Sequence, residues 1–219
     1  MDDPFLNPYL EIDCRDSGIL PHWDQDGKMQ FVTFRLIDSL PQSKIHELKA
    51  LKEQFLTDNP KPWSNHTTME YYELISPFES ELLDRGYGSC ILKNKGVRAI
   101  VSKAMKYLDG NKYELMAFVS MPNHIHILFQ LFEGIELETV MHTIKSFSSH
   151  KINKFLTREG KVWMKEYFDR MVRTEKHLIN CIRYIISNPE PLKAGEYELY
   201  LNPSININDI MSPITPYRF

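Results

Sequence analysis

Short apolar runs bounded by turn-forming residues predict four β-strands. Two of them, Tyr113–Ser120 and His124–Leu131, are separated only by Met121-Pro-Asn and are apolar enough to be buried. A third run at 30–36 is rich in β-branched and aromatic residues, and a fourth at 167–173 alternates apolar and polar positions. We expect these strands to form one sheet.

Apolar residues three and four positions apart predict five helices. Thr174 is a favourable N-cap for the last of them, and Pro189 ends it. The first begins in the segment Ser39-Leu-Pro-Gln, and the others are expected at 66–85, 94–108, 138–156 and 174–188. The residues expected to face inward in the fourth helix are Val140, Met141, Ile144, Phe147 and Phe155.

The order of these elements predicts an α+β fold, in which helices pack on one sheet. We expect an N-terminal arm at 1–28 and one domain at 29–195, with a helical insertion at about 58–90. Residues 196–219 are expected to form a C-terminal tail, because they are rich in proline and asparagine and lack strong periodicity.

Composition excludes two broad classes of protein. The 219 residues are 12% aromatic, which is too rich for a chain disordered as a whole, and no apolar run reaches the ~18 residues of a membrane span. The acidic start of the chain lacks the apolar core of a signal peptide. Because Cys14, Cys90 and Cys181 fit neither a disulfide framework nor a zinc cluster, we expect a cytoplasmic protein.

The charge distribution is uneven. The chain carries a net charge of −3, but residues 141–185 contain ten cations and four anions, a local charge of +6. Such a segment can hold a polyanion even in an acidic protein, although a solvated helical face is the simpler explanation of the charges alone.

Two groups of polar side chains can carry chemistry. Alternate residues of a strand point to the same face, so His124 and His126 are expected on one side and can form a pair of metal ligands. On the last helix, Tyr184 and Asn188 are four positions apart, on the side opposite the apolar stripe. Each group alone is also compatible with ordinary structural residues.

The two groups together are suited to metal-assisted phosphoryl transfer. A tyrosine is a poor nucleophile at neutral pH because its pKa is near ~10, so it depends on a polarised phosphate. A metal held by two neutral imidazoles and one amide supplies that polarisation and keeps coordination positions for the substrate.

Motifs in separate parts of the chain then resemble one family. Met121-Pro-Asn-His-Ile-His-Ile-Leu resembles the His-hydrophobic-His strand of the HUH single-tyrosine transposases. The segments 163–173 and 183–189 resemble the branch of these enzymes associated with repetitive extragenic palindromes, the RAYT proteins, as do 31–41 and 85–88. The resemblance covers roughly residues 20–195.

This resemblance implies a ferredoxin-like, antiparallel four-stranded sheet with flanking helices and an extra C-terminal helix that carries the tyrosine. It implies that His124, His126 and Asn188 bind Mg²⁺ or Mn²⁺ and that Tyr184 is the nucleophile. The family cleaves single-stranded DNA beside a hairpin and forms a 5′-phosphotyrosine and a free 3′-OH, and strand transfer reverses the step. The cations expected to follow the phosphate backbone are Lys145, Lys151, Lys154, Lys161, Arg170 and Arg173.

Several alternatives stay open at this level. Tyr167 is a rival nucleophile, although it lacks an amide partner one turn away, and Trp163 or Phe168 are candidate surfaces for base stacking. The protein is alternatively a domesticated relative that binds hairpin DNA without cutting it, or an unrelated metal hydrolase. Both a monomer and a homodimer are compatible with the sequence.

Overall fold

A computed structural model describes residues 4–7, 13–16, 21–61 and 63–211 of the chain. Strands β1 (Asp13–Asp16) and β2 (Pro21–Asp24) pair with each other. The other strands form a five-stranded sheet in the order β6-β3-β5-β4-β7, with every pair antiparallel. Its strands are β3 (Met29–Arg35), β4 (Tyr113–Ser120), β5 (His124–Leu131), β6 (Phe168–Met171) and β7 (Glu198–Leu201).

Several helices begin with a side-chain cap. The hydroxyls of Ser64 and Thr174 and the amide oxygen of Asn94 accept backbone N–H groups of the first turns of α2, α5 and α3. No described helix is long and apolar enough to cross a membrane. The helices are α1 (Gln42–Asp58), α2 (Asn65–Asp84), α3 (Lys95–Leu108), α4 (Leu137–Phe155), α5 (Glu175–Ser187) and α6 (Ile207–Met211).

The central strand β5 is buried on both faces and separates two apolar clusters. Ile125 and Ile127 belong to the cluster that contains the inner residues of α3 and α4. Leu128 belongs to the opposite cluster, together with Ile182 and Ile185 of α5. Odd and even positions of β5 therefore face different helical layers, as strand geometry requires.

Helices α1 and α2 form a third cluster at the β6 edge of the sheet. Leu48 of α1 packs with Tyr71, Tyr72 and Ile75 of α2, and Phe168 of β6 completes the cluster. The carboxyl end of α2 thereby lies next to the face of the sheet that α5 covers.

The predicted α+β fold is confirmed, and all four predicted strands are present. The sheet has a fifth strand because residues 198–201, within the predicted tail, pair with the edge of β4. The inward positions predicted for Phe147 and Phe155 are wrong, since these side chains are 42% and 53% exposed. The buried stripe of α4 instead continues from Ile144 to Ser148 and Ile152.

The predicted division into arm, domain and tail stays a prediction. Within the arm, residues 1–3, 8–12 and 17–20 lie outside the described part of the chain, and so do residues 212–219 of the tail.

Candidate active site

The two histidines of β5 lie side by side on the face of the sheet that α5 covers. His124 and His126 are each 1% exposed, and their Nε2 atoms are 3.0 Å apart. The ring of Phe31, on the neighbouring strand β3, stacks on His126 with 5.6 Å between centroids. The predicted common face of the two imidazoles is therefore present in the structure.

Asn123 determines the orientation of His124. The Asn123 amide nitrogen donates to the carbonyls of Leu83 and Tyr87, at 3.2 and 3.1 Å, so its oxygen faces His124 Nδ1 at 2.8 Å. His124 Nδ1 therefore carries the ring proton, which leaves a lone pair on Nε2.

Both imidazoles are neutral near pH 7. Burial lowers the pKa of His124 to about 3, and burial together with the neighbouring His124 lowers the pKa of His126 well below its ordinary value. His126 Nδ1 lies 2.7 Å from the Thr33 hydroxyl, which can donate or accept. Either His126 Nε2–H donates to the lone pair of His124 Nε2, or both Nε2 lone pairs point at one shared cation.

The geometry of the pair fits a divalent cation. Two ligands about 2.1 Å from an ion and at right angles to each other lie about 3.0 Å apart. That value equals the 3.0 Å between the two Nε2 atoms. With a cation present, the His126 proton would lie on Nδ1, where the Thr33 hydroxyl accepts it.

Tyr184 of α5 lies next to the histidine pair of its own chain. Its hydroxyl lies 3.4 Å from His126 Nε2, and the two rings are 5.0 Å apart in an edge-on arrangement. The pKa of Tyr184 is raised to about 12, mainly by burial and also by Asp84, while hydrogen bonds from Ser80 and Asn188 act in the opposite direction. The phenol is therefore protonated at neutral pH.

Asn188, one turn after Tyr184, offers an oxygen ligand. Its amide bonds to the Tyr184 hydroxyl, and its Oδ1 is buried without a hydrogen-bond partner among the described residues. Across the described chain, no group of three or more His, Cys, Asp or Glu side chains is placed to hold a metal ion. The donors that the described residues offer near Tyr184 are thus two imidazole nitrogens and one amide oxygen.

Asp84 is a member of the site that the sequence did not indicate. Its carboxylate lies 3.9 Å from His124 Nε2, and burial raises its pKa. Asn123 and Thr33 also belong to the site, and both lie in the motifs quoted above. Alternation along β3 places Phe31 and Thr33 on one face, but only the register that pairs Thr33 with His126 brings them to the site.

The predicted DNA-binding cations divide into two groups. Arg170 lines a cavity beside Tyr184, and the Arg173 guanidinium is partly buried and contacts Met69. The other four lie on α4 or in the loop after it, and α4 packs on the opposite face of the sheet. The structure does not bring these four to the histidine pair; they are Lys145, Lys151, Lys154 and Lys161.

Of the other aromatic candidates, Tyr167 and Trp163 belong to the cluster on the α4 face of the sheet, whereas Phe168 lies nearer to the site. Tyr167 packs against the cluster on the α4 face, and its ring lies 5.4 Å from Lys145 Nζ. Trp163 is 5% exposed, and its Nε1–H donates to Ser148 Oγ, so it is a core residue. Phe168 lines the cavity beside Tyr184.

The fold and the site define an α+β protein in which a histidine pair on the central strand faces a helical tyrosine. Residues 87–188 match the family model described as "Transposase IS200 like". A curated relative from Haemophilus influenzae, described as "Putative REP-associated tyrosine transposase", is 27% identical over 97 residues, which cover 40% of this chain and 54% of the relative. The chain thus spans about half the length of that relative.

A solved structure is also similar to this chain. It is described as "Structure of the REP associates tyrosine transposase bound to a REP hairpin", with 16% identity and a TM-score of 0.43 over 78% of this chain and 71% of that chain. The family model and the curated relative confirm the resemblance of this chain to the REP-associated tyrosine transposases.

Proposed function

We propose that this protein is a metal-dependent endonuclease and strand transferase that acts on single-stranded DNA beside hairpins. The observation that carries the proposal is the 3.4 Å approach of the Tyr184 hydroxyl to His126 Nε2 within one chain. The similarity to the IS200-like transposases and to a REP-associated relative supports it. We assign the activity to the domain at 29–195.

In this proposal, the residues of the site have separate roles. His124, His126 and Asn188 would hold the Mg²⁺ or Mn²⁺ ion, which when bound polarises the scissile phosphate. The Tyr184 oxygen attacks phosphorus, the bond between phosphorus and the 3′ oxygen breaks, and the products are a 5′-phosphotyrosine and a free 3′-OH. Strand transfer is the reverse reaction with a second 3′-OH.

To attack the phosphate, the Tyr184 phenol must lose its proton, although its surroundings raise its pKa. Hydrogen bonds from Ser80 and Asn188 stabilise the phenolate oxygen, whereas burial opposes its charge. We propose that the Asp84 carboxylate accepts this proton, because Asp84 interacts with Tyr184 and lies beside His124. Asp84 then returns the proton to the 3′ oxygen that leaves.

The test is a covalent trapping assay with labelled hairpin oligonucleotides that carry single-stranded flanks. With Mn²⁺, the wild-type protein should form a DNA adduct that survives denaturing electrophoresis, and Tyr184→Phe should form none while it still binds the DNA. Tyr167→Phe is the matched control, since Tyr167 packs on the other face of the sheet, and it should retain the adduct.

Two outcomes would overturn the proposal. A folded, Mn²⁺-loaded wild type that binds hairpins but forms no adduct across a broad panel would indicate a binding protein. An adduct that persists in Tyr184→Phe and disappears in Tyr167→Phe would assign the chemistry to the other tyrosine.

A further inference from the structure

A cavity of about 310 Å³ lies beside Tyr184, between α2, α5 and the edge of the sheet. Its volume is in the lower part of the ~300–1,000 Å³ range of small-molecule sites. The reaction proposed above uses Tyr184 on its wall but leaves the cavity itself without a role.

Flat side chains form much of the cavity wall. The rings of Phe31, Tyr72 and Phe168 line it, together with the planar guanidinium of Arg170. That guanidinium lies over the Tyr72 ring, with 5.6 Å between its central carbon and the ring centroid. Aromatic rings and guanidinium planes are the groups on which proteins stack single-stranded bases.

His177 presents a hydrogen-bond donor to this cavity. The backbone N–H of Arg173 donates to His177 Nδ1 at 3.2 Å, so the neutral ring carries its proton on Nε2. Burial and the neighbouring Arg170 and Arg173 lower the pKa of His177 to about 4, which keeps the ring neutral. Its Nε2 and the Ser76 hydroxyl are buried without hydrogen-bond partners among the described residues, so an occupant with polar edges would satisfy them.

The charges around the cavity are of both signs. Glu73 lies at the exposed rim, Arg170 adds a cation to the wall, and Glu79 lies 3.7 Å from Arg35 and 3.8 Å from Lys52. The wall therefore has no strong excess of one charge that would select an ion, and a neutral heteroaromatic ring with polar edges suits it.

We propose that the cavity binds one unstacked nucleobase of the DNA strand whose phosphate Tyr184 attacks. The inference rests on the proposed function, because Tyr184 both lines the cavity and is the proposed nucleophile that attacks the phosphate. Placing a base here costs least in single-stranded DNA, where no base pair must be broken. The base fixes the strand, so that the neighbouring phosphate is held against the tyrosine.

The first test is photo-cross-linking with wild-type protein and no metal. The probe is a pool of hairpin oligonucleotides with random single-stranded flanks, in which 5-iododeoxyuridine replaces thymidine. Mass spectrometry should find cross-links to Tyr72, Phe168 or Phe31. Cross-links confined to residues outside the cavity would overturn the inference.

The second test is a double-mutant cycle on the same pool. His177→Ala should weaken binding about tenfold, the scale expected for one stacked base, and Ser76→Phe should do the same by filling the space. With abasic flanks, both variants should bind like wild type, since the base they perturb is absent. His66→Ala, an exposed histidine on α2, is the control that should change nothing.

These tests separate the two proposals. Cross-linking and binding are measured without metal, whereas the phosphotyrosine is measured with Mn²⁺. Adduct formation without cavity cross-links, or equal losses for His177→Ala on intact and abasic flanks, would refute the base site alone. Cavity cross-links without any adduct would refute the cleavage proposal and retain a base-binding pocket.

Discussion

Asn123→Ala should lower both the free energy of unfolding and the affinity of the site for metal. The side chain is 1% exposed and takes part in three hydrogen bonds, two to the Leu83 and Tyr87 carbonyls and one from His124 Nδ1. Alanine has no side-chain amide, so the carbonyls of Leu83 and Tyr87 and the Nδ1–H group of His124 each lose a hydrogen-bond partner. At about 1 kcal/mol for each hydrogen bond, the free energy of unfolding should fall by about 3 kcal/mol.

The effect on metal binding follows from the imidazole. Without the amide oxygen, His124 is no longer held in the tautomer that directs a lone pair from Nε2 toward His126. Loss of such an outer partner typically lowers metal affinity by about 10- to 100-fold. We therefore expect that decrease for Mn²⁺ binding to Asn123→Ala.

Asn123→Asp separates the two effects. Aspartate keeps an oxygen that accepts from His124 Nδ1, but it has no N–H groups for the carbonyls of Leu83 and Tyr87. The free energy of unfolding should therefore fall by about 2 kcal/mol or more, while Mn²⁺ affinity should stay within a few-fold of wild type.

Urea denaturation in EDTA measures the first quantity, and calorimetric titration with Mn²⁺ measures the second. Asn111→Ala, in the turn between α3 and β4, is the matched control. If Asn123→Ala lay within about 0.5 kcal/mol of wild type and bound Mn²⁺ equally well, the positioning role assigned to this amide would be wrong.

Three further predictions address single side chains. Thr33→Val removes the hydroxyl next to His126 Nδ1, and calorimetry should detect about tenfold weaker Mn²⁺ binding. Asp84→Asn should slow phosphotyrosine formation by about 100-fold or more in a quenched time course, with unchanged Mn²⁺ affinity; an unchanged rate would remove Asp84 from the mechanism. Because the pKa of His177 is about 4 when folded and about 6.5 when unfolded, its neutral form stabilises the fold above pH 6.5, and this contribution is lost as the pH falls toward 4. Stability should drop by about 2 kcal/mol from pH 7 to pH 5 through this residue, and His177→Gln should lose that part of the pH dependence in urea denaturation.

The elements that carry the site could be predicted because their local signals agree. The apolar runs at 113–120 and 124–131 coincide with β4 and β5, since turn residues bound each run and both faces of β5 are buried. Thr174 caps α5 as predicted, because its hydroxyl accepts the His177 backbone N–H. Local periodicity was sufficient for these elements and for the common face of the two histidines.

Other features depend on packing that no local pattern contains. Strand β7 is short and partly exposed, and it exists because the edge of β4 is available for pairing. Phe155 is half exposed because it lies at the end of α4, where its ring covers Gly96 of α3. Its spacing matches the helical period, but the period does not reveal where the neighbouring helix ends.

Contacts between distant segments of the chain explain why part of the site was not predicted. The segment that matches the IS200-like transposases, 87–188, contains the histidine pair, Tyr184 and Asn188. Asp84 and Thr33 contact those groups from outside that segment. Asp84 approaches because α2 packs against the sheet edge, and Thr33 approaches because the register of β3 pairs it with His126. Both contacts join residues that are far apart in sequence.

The same division assigns different tasks to the two parts of the chain. The matched segment supplies the proposed nucleophile and metal ligands, and Asp84 at the end of α2 adds the proton acceptor. The segment before it supplies much of the wall beside Tyr184, from Phe31 on β3 to Tyr72 and Ser76 on α2. If the cavity binds a base, the choice of that base is then decided largely by the residues of α2 that line the cavity. Substitutions at Tyr72 or Ser76 would alter which DNA is held, whereas Asp84 on the same helix belongs to the cleavage step.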